Sequence, residues 1–255
     1  MVDFYINSSV YIQVLIASLF TWFITSMGAS VVFFFKKVNK NILDLMLSLS
    51  AGIMLAASFF SLINPAIEKS YTLGINPSIT LSIGITLGIF LIILIDKLLK
   101  NKNSNKRNFL LLLSITLHNI PEGLAIGVAF GTVSSGANTL IEASALALSI
   151  GLQNFPEGSA ISLPLKRDGT STKKSFLLGS LSGIVEPISA LLGCYLTILI
   201  NNILPYCLSF ASGAMLYVVI SELIPESQNT PNKALITIFT IIGFLFMMIL
   251  DISIA

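Results

Sequence analysis

Eight long apolar stretches run through the chain, and they limit the possible folds more than any other feature of the sequence. A helix needs about 20 mostly apolar residues to cross a bilayer. In lipid the backbone must satisfy its own hydrogen bonds, and continuous apolar runs of this length favour helices over barrel strands. The sequence therefore predicts an all-α polytopic membrane protein, with residues 1–255 forming a single transmembrane domain. The predicted spans, numbered 1 to 8, are 10–35, 43–64, 77–99, 109–131, 138–164, 175–200, 203–225 and 232–252.

The composition agrees with a chain whose surface faces lipid. Hydrophobic residues make up 55% of the sequence and charged residues 10%. Soluble domains contain about 25% charged residues, because water must solvate their surface. A signal peptide would carry a basic segment before its apolar run. Residues 1–9 contain neither Lys nor Arg, so we expect span 1 to be retained.

The basic residues are distributed unevenly between the two ends of the spans. Thirteen of the 14 follow spans 1, 3, 5 and 7, and the exception is Lys69. The thirteen are Lys36, Lys37, Lys40, Lys97, Lys100, Lys102, Lys106, Arg107, Lys166, Arg167, Lys173, Lys174 and Lys233. The positive-inside rule predicts a multi-pass protein of the plasma membrane with these loops in the cytoplasm and both termini outside. The net charge of +2 thus reflects membrane topology rather than nucleic-acid binding, and no nucleotide-binding motif is present.

Two pairs of spans repeat each other. In spans 2 and 7, residues 47–55 align with residues 208–216 at an offset of 161. In spans 4 and 5, residues 114–126 align with residues 149–161 at an offset of 35, and nine of the 13 positions are identical. Because the members of each pair are predicted to run in opposite directions, we expect inverted repeats, with helices 1–3 and 6–8 around the central helix 4/5 pair. Secondary transporters commonly hold their substrate near the midplane between such repeats.

Three acidic residues, Glu122, Glu157 and Glu186, fall near the middle of predicted spans. A carboxylate at that depth costs about 2.5–3.5 kcal/mol on insertion scales, so it needs a partner. No Lys or Arg occurs between residues 108 and 165 or between residues 175 and 232. These glutamates are therefore either protonated or neutralised by a bound cation.

The spacing around two of these glutamates favours the cation. His118 and Asn119 precede Glu122 by four and three residues, so the three side chains share one face of a helix. Span 5 repeats this face with Gln153, Asn154 and Glu157. Taken singly, His118 is better explained as a hydrogen-bonded packing residue, and Pro121 and Pro156 as helix kinks, whereas Glu122 and Glu157 are not explained in this way. The duplicated set instead indicates a metal site in which the two glutamates bridge two adjacent positions.

Residues 118–123 and 153–158 resemble the helix 4 and helix 5 motifs of the ZIP family of metal transporters (Zrt/Irt-like proteins), in its prokaryotic GufA-like branch, and the resemblance covers the whole chain. It implies a binuclear midplane site. One metal position would be formed by Met54, His118, Glu122, Gln153 and Glu157. The other would use Asn119, Asn154 and Glu186 and would share Glu122 and Glu157. A possible cytoplasmic exit site is also implied and is matched here only by Glu222.

The resemblance further implies inward transport by alternating access, a homodimer, and helices 1, 4, 5 and 6 moving against helices 2, 3, 7 and 8. The metal is then a transported substrate rather than a cofactor. Imidazole, amide, carboxylate and thioether ligands favour borderline transition metals over Mg²⁺ and Ca²⁺. We expect Zn²⁺ first, with Fe²⁺, Mn²⁺, Co²⁺ and Cd²⁺ as alternatives.

An enzyme is the other function that these residues leave open. The spacing of His118 and Glu122 also resembles the ligand pair of a zincin helix, which would make the chain an intramembrane zinc-dependent hydrolase. Catalytic zinc usually takes three protein ligands, often two or three of them histidines, and the chain has 1 His in total. We therefore expect a transporter and not an enzyme.

Overall fold

The computed structural model describes residues 2–36, 38–98, 106–133 and 139–254, and within those ranges its regular secondary structure is helical, without strands. The α-helices are α1 (Val2–Asn7), α2 (Val10–Ser30), α3 (Lys40–Ala57), α4 (Asn64–Thr72), α5 (Pro77–Leu98), α6 (Lys106–Gly131), α7 (Leu140–Arg167), α8 (Thr172–Leu181), α9 (Val185–Tyr195), α10 (Thr197–Val218), α11 (Ile224–Ser227) and α12 (Lys233–Ile254). The all-α class predicted from the sequence is confirmed.

Two predicted spans contain a π-helical segment. In span 2, Ser58–Ile63 joins α3 to α4, and the helix continues to Thr72 rather than ending at residue 64. In span 7, Val219–Leu223 joins α10 to α11. Pro65 and Pro225 are each the second residue after these segments, and each lacks the N–H that would bond to the carbonyl four residues earlier. The widened turns therefore lie where a regular α-helix would lose a hydrogen bond.

The helices of spans 6 and 7 are divided differently from the prediction. A 3₁₀ turn at Ser182–Ile184 separates α8 from α9, and α10 begins at Thr197, whereas span 7 was expected to begin at residue 203. Pro187 explains the first break, because it has no N–H for the carbonyl of Gly183 and its ring crowds that turn. An apolar run does not reveal such breaks, since both helices are equally apolar.

Six segments among the described residues are long and apolar enough to cross a membrane. They are Val10–Phe34, Lys40–Thr72, Pro77–Ile95, Thr172–Tyr195, Asn202–Ser227 and Lys233–Ser253. The helices that carry the two motifs, α6 and α7, are 26 and 28 residues long but are not among the six. A chain with several membrane-spanning helices is thus established, and the count of eight stays a prediction.

The helices pack in four close pairs, α2 with α7, α6 with α9, α5 with α10, and α3 with α12. Each pair is brought together by glycine, because a Cβ atom there would overlap a carbonyl oxygen of the facing helix. The overlapping pairs are Gly158 with Thr25, Gly127 with Ala190, Gly88 with Phe210, and Gly52 with Thr240. We call α2 and α6–α9 group 1, which holds spans 1, 4, 5 and 6, and α3–α5 and α10–α12 group 2, which holds spans 2, 3, 7 and 8.

Glycine contacts hold each group together internally. Of the 16 described glycines, thirteen would place a Cβ against a neighbour of their own group. Gly131 faces the junction of α9 and α10. Gly74 and Gly169 have positive φ angles of 68° and 93° and lie in turns with nothing nearby. The described glycines therefore tighten the two groups and not the surface between them.

These contacts recur at the offset of the span 2/7 repeat. A Cβ on Gly243 would meet Leu49 and Ile53, and a Cβ on Gly88 would meet Phe210 and Ala214, which lie 161 residues further along. A Cβ on Gly158 would meet Thr25, and a Cβ on Gly123 would meet Glu186. Thr25 and Glu186 are again separated by the offset of 161 residues. Packing as well as sequence thus repeats between the two halves of the chain.

Candidate metal centre

The polar motif residues meet where α6, α7 and α9 of group 1 pack together. Each described member of this set is at most 1% exposed; these members are Asn119, Glu122, Gln153, Asn154, Glu157 and Glu186. Burial of so many amides and carboxylates is unusual, because acidic and amide side chains are mostly exposed unless they are paired. The structure therefore places all six of these predicted site residues in the interior of the helix bundle.

Proline and glycine within each motif position the helices locally. Pro121 lies inside α6 and Pro156 inside α7, and each removes one helix hydrogen bond to the residue four positions earlier. Membrane helices tolerate a freed carbonyl where it lines a cavity or an ion site. Gly123 and Gly158 then allow the backbones of α9 and α2 to approach closely.

Gln153 connects α7 to both α6 and the π-helical segment of span 2. Its Nε2 donates a hydrogen bond to Oε1 of Glu122. Its Oε1 accepts a hydrogen bond from the hydroxyl of Ser61 at 3.1 Å. One amide thus links the motif glutamate of α6 to a side chain of group 2.

The side-chain NH₂ groups of Asn119 and Asn154 donate hydrogen bonds, whereas their side-chain oxygens accept none from the described residues. Asn154 Nδ2 lies 2.8 and 2.9 Å from the two carboxylate oxygens of Glu186, and Asn119 Nδ2 lies 3.2 Å from the carbonyl of Ser182. The Oδ1 atoms of Asn119 and Asn154 are buried, and no described residue donates a hydrogen bond to them. Buried acceptors without donors are costly in an apolar interior, and a bound cation is one partner that satisfies them.

Negative charge accumulates at this position. Glu122 lies within electrostatic range of both Glu186 and Asp251. Among the described side chains, however, no three His, Cys, Asp or Glu residues lie close enough together to hold a metal ion by themselves. A metal held here would thus depend on amide oxygens in addition to carboxylates.

Met54 lies in α3 of group 2, and His118 lies in α6 of group 1. Met54 is 2% exposed in α3, and its carbonyl accepts a hydrogen bond from the Ser58 hydroxyl at 2.8 Å. No described contact joins it to the glutamates. His118 lies on α6 one turn before Glu122, and its side chain is outside the described residues.

Glu222 is less buried than the six residues of this set. It is half-buried in the π-helical segment Val219–Leu223 of group 2. Its suggested role at an exit site stays a prediction.

Asp251 was missed by the sequence analysis. It accepts hydrogen bonds from Ser61 at 3.0 and 3.2 Å and from Ser149 at 3.1 Å, which places it beside the Gln153–Glu122 link. The signal that could have revealed it is a further repeat, in which Gly243 precedes Asp251 by the same eight residues that separate Gly88 from Asp96. A carboxylate at the end of an otherwise apolar span is easily dismissed as an interfacial residue.

A cavity of about 470 Å³ reaches Glu122 from the side of α4, and its lining includes Ser61, Glu68, Lys69 and Thr72. A smaller cavity of about 190 Å³ also contains Ser61 and extends to Asp251. The buried carboxylates are therefore accessible from the end of the bundle at which α4 terminates.

Comparison with known proteins identifies the family. The ZIP Zinc transporter family matches residues 100–251. Zinc transporter ZIP11 of Homo sapiens is 35% identical over 97% of this chain and 98% of its own length. Zinc transporter GufA of Myxococcus xanthus is 33% identical over 94% of this chain and 98% of its own length, and zinc transporter ZIPB of Bordetella bronchiseptica is 32% identical over 89% of this chain and 76% of its own length. These relatives are transporters and not enzymes, so a hydrolase is not supported. The resemblance found in the sequence is thereby confirmed, and the chain belongs to the ZIP family of zinc transporters.

Proposed function

We propose that this chain transports a divalent transition-metal ion, Zn²⁺ before any other, through the buried centre between α6, α7 and α9. The observation that carries the proposal is the set of buried carboxylates and amide oxygens that lies in a stretch of chain without Lys or Arg. A divalent cation supplies the missing charge and the missing partner for the Asn119 and Asn154 oxygens. The relatives named as zinc transporters support the same metal.

We propose two adjacent metal positions. Glu122 and Glu157 bridge them, with Met54, His118 and Gln153 completing one position and Asn119, Asn154 and Glu186 the other. Carboxylate, amide, imidazole and thioether donors together suit borderline ions, so Fe²⁺, Mn²⁺, Co²⁺ and Cd²⁺ are the competing substrates. The closeness of Glu122 to Gln153, and of Asn154 to Glu186, supports this division.

We infer that transport proceeds by movement of group 1 against group 2. The glycine contacts support this inference, because they tighten the helix pairs inside each group and leave the surface between the groups to side chains. A hydrogen bond such as that from Ser61 to Gln153, which crosses this surface, is then broken and remade in each cycle.

The repeat between spans 2 and 7 also supports a role for Glu222 in the release of the metal ion, at the end of the bundle opposite to the cavity. Ser61 lies at the accessible side of the centre, and the residue 161 positions later is Glu222. We propose that Glu222 belongs to the cytoplasmic exit, as the counterpart of Ser61 on the outer side. We also propose that two copies of the chain form a homodimer in the plasma membrane.

Uptake into proteoliposomes tests the transport proposal. Vesicles that contain the purified chain should accumulate Zn²⁺ down its concentration gradient, measured with an internal fluorescent indicator, and should rank the five candidate ions by rate. Vesicles without protein provide the baseline. A rate equal to that baseline for every ion would overturn the proposed function.

The orientation can be tested by cysteine labelling. In a background in which Cys194 and Cys207 are replaced by Ser, Thr72→Cys should react with a membrane-impermeant maleimide in intact cells, and Lys173→Cys only after permeabilisation. Both positions are exposed, so a difference between them reports sidedness rather than burial. The reverse pattern would invert the topology and the predicted direction of transport.

A further inference from the structure

The hydroxyl of Ser61 has one hydrogen and three acceptor atoms within reach. Its Oγ lies 3.1 Å from Oε1 of Gln153, and 3.0 and 3.2 Å from Oδ2 and Oδ1 of Asp251. A serine hydroxyl carries a single donor hydrogen, whereas amide and carboxylate oxygens only accept. Gln153 and Asp251 therefore compete for the same hydrogen of Ser61.

Glu122 fixes the orientation of the Gln153 amide. The Nε2 group of Gln153 donates to Oε1 of Glu122, and this directs the amide oxygen of Gln153 to Ser61. A metal ion at the proposed position would bind that oxygen, because the amide nitrogen only donates. The atom for which Ser61 is a donor is therefore the atom that the metal ion needs.

Asp251 is held in place by a second hydroxyl, from α7. Ser149 donates to Oδ1 of Asp251 at 3.1 Å. Ser149 precedes Gln153 by four residues, so both side chains lie on one face of α7. The other carboxylate oxygen, Oδ2, is the one closest to Ser61. Ser149 thus occupies one oxygen of Asp251, and the second oxygen can accept the hydrogen of Ser61.

A cation on Gln153 would decide the competition between the two acceptors. The hydroxyl hydrogen of Ser61 carries a partial positive charge, so a cation bound to Oε1 of Gln153 repels it. A carboxylate accepts a stronger hydrogen bond than an amide oxygen does, and the hydrogen can turn to Asp251 without loss of a bond. Without Asp251, the hydrogen would either stay on the ligand oxygen or lose its acceptor, which is costly away from water.

We propose that Asp251 is a positioning residue for metal binding, which takes the hydrogen of Ser61 and so frees the side-chain oxygen of Gln153 for the metal ion. This role rests on the proposed function, in which Gln153 is a ligand of the transported ion. Ser61 lines both the cavity of about 470 Å³ that reaches Glu122 and the cavity of about 190 Å³ that contains Asp251. The hydroxyl that turns therefore lies on the route by which an ion reaches the centre.

The exchange also changes which helices the hydroxyl connects. Ser61 and Asp251 both belong to group 2, whereas Gln153 belongs to group 1. When the hydrogen turns from Gln153 to Asp251, one hydrogen bond across the surface between the groups is lost. The bond from Ser149 to Asp251 still crosses that surface. Binding of the ion thus loosens, without abolishing, the contact that the proposed movement has to break.

Zinc binding to the purified full-length chain, measured by titration calorimetry, tests this role. Asp251→Asn should weaken Zn²⁺ binding by about tenfold or more, as expected for loss of a residue that orients a metal ligand. The amide that replaces the carboxylate has its one oxygen beside Ser149 and presents an N–H to Ser61, so the hydrogen of Ser61 stays on Gln153. Ser61→Ala should bind Zn²⁺ at least as tightly as the wild type, because the competing hydrogen is gone.

The double variant is decisive. If Asp251 acts only through Ser61, then Ser61→Ala should restore the affinity of Asp251→Asn to within about twofold of Ser61→Ala alone, the usual limit for residues that do not interact. A carboxylate that bound the ion directly, or only supported the fold, would be missed equally in both backgrounds.

Glu142→Gln is the matched control. Glu142 lines the same cavity of about 190 Å³ as Asp251, so this variant removes one negative charge from the same place. Its described hydrogen bonds are with Thr139, in a capping box at the start of α7 that glutamine also forms. Wild-type affinity in this variant would separate positioning of a ligand from general attraction of cations by acidic residues.

Three results would overturn the role of Asp251: wild-type affinity in Asp251→Asn, an equal loss with and without Ser61→Ala, or weaker binding in Ser61→Ala than in the wild type. Metal-free melting temperatures identify a variant that does not fold, and if Asp251→Asn is one, the affinity of Ser61→Ala alone decides.

Uptake by wild-type vesicles is measured separately, so that this role and the proposed function can fail independently. Uptake together with wild-type affinity in Asp251→Asn refutes the role of Asp251 alone. Loss of binding that depends on Ser61, without uptake, refutes transport alone. A wild-type chain that binds no Zn²⁺ overturns the role of Asp251 whatever the uptake assay shows.

Discussion

Replacement of Glu157 or Glu122 by Gln should nearly abolish Zn²⁺ uptake by proteoliposomes while the protein still inserts and folds. Each glutamate is proposed to bridge both metal positions, so neutralising either one weakens two sites at once. Residues that only orient metal ligands change affinity by about 10–100-fold when mutated, and loss of a bridging ligand should reduce uptake by at least that factor. Initial rates at a fixed Zn²⁺ concentration provide the measurement.

Asp168→Asn is the control for this comparison. Asp168 is an exposed carboxylate directly after α7, the helix that carries Glu157, and it has no proposed part in metal binding. Its variant should transport at the wild-type rate. Near-normal uptake by either glutamine variant would refute the shared binuclear site, even if the chain proved to be a transporter.

Gly158→Ala should cause the largest loss of stability among single methyl additions to α7. Its Cβ would overlap the carbonyl oxygen of Thr25 and would lie 2.7 Å from the amide nitrogen of Ala29, and both atoms belong to the backbone of α2. Backbone atoms cannot rotate away, so the two helices must separate. Overpacking of this kind typically costs about 1–3 kcal/mol, and we expect a value at or above the upper end, read as a lower melting temperature in detergent.

Gly151→Ala provides the comparison on the same helix and against the same neighbour. Its Cβ would lie 2.8 Å from a ring carbon of Phe20, a side chain that can shift. Alanine also has the higher helix propensity, by about 1 kcal/mol, so this variant should be close to neutral. Equal melting temperatures for the two variants would show that the α2–α7 contact is not as close as described.

Features that repeat along the chain could be predicted from the sequence. Apolar runs predicted the helical membrane class, and the duplicated Asn-x-Pro-Glu-Gly motif predicted that Asn119, Glu122, Asn154 and Glu157 would be buried together. Helical spacing places residues three and four apart on one face, so these residues could be grouped without knowledge of the tertiary fold.

Features that depend on contacts between distant helices could not be predicted from the sequence. Asp251 meets Ser61 from 190 residues away, and nothing in its own apolar span predicts that contact. The burial of Asp44 without a hydrogen-bond partner among the described residues could likewise not be predicted, because it depends on the positions of all its neighbours. The break before α9 and the π-helical turns were missed for the same reason, since hydropathy is insensitive to local backbone geometry.

The two π-helical segments alter the rotational phase of their helices. One additional residue in a turn rotates all that follows by about 100° relative to a continuous α-helix of 3.6 residues per turn. In span 2, the part before Ser58 faces α12 through Gly52, whereas the part after it directs Ser61 and Glu68 to the cavity. The two parts of span 2 can therefore change independently in sequence. Substitutions that reshape the route of the ion need not disturb the packing of the helices. The second π-helical segment, in span 7, separates the two parts of that helix in the same way.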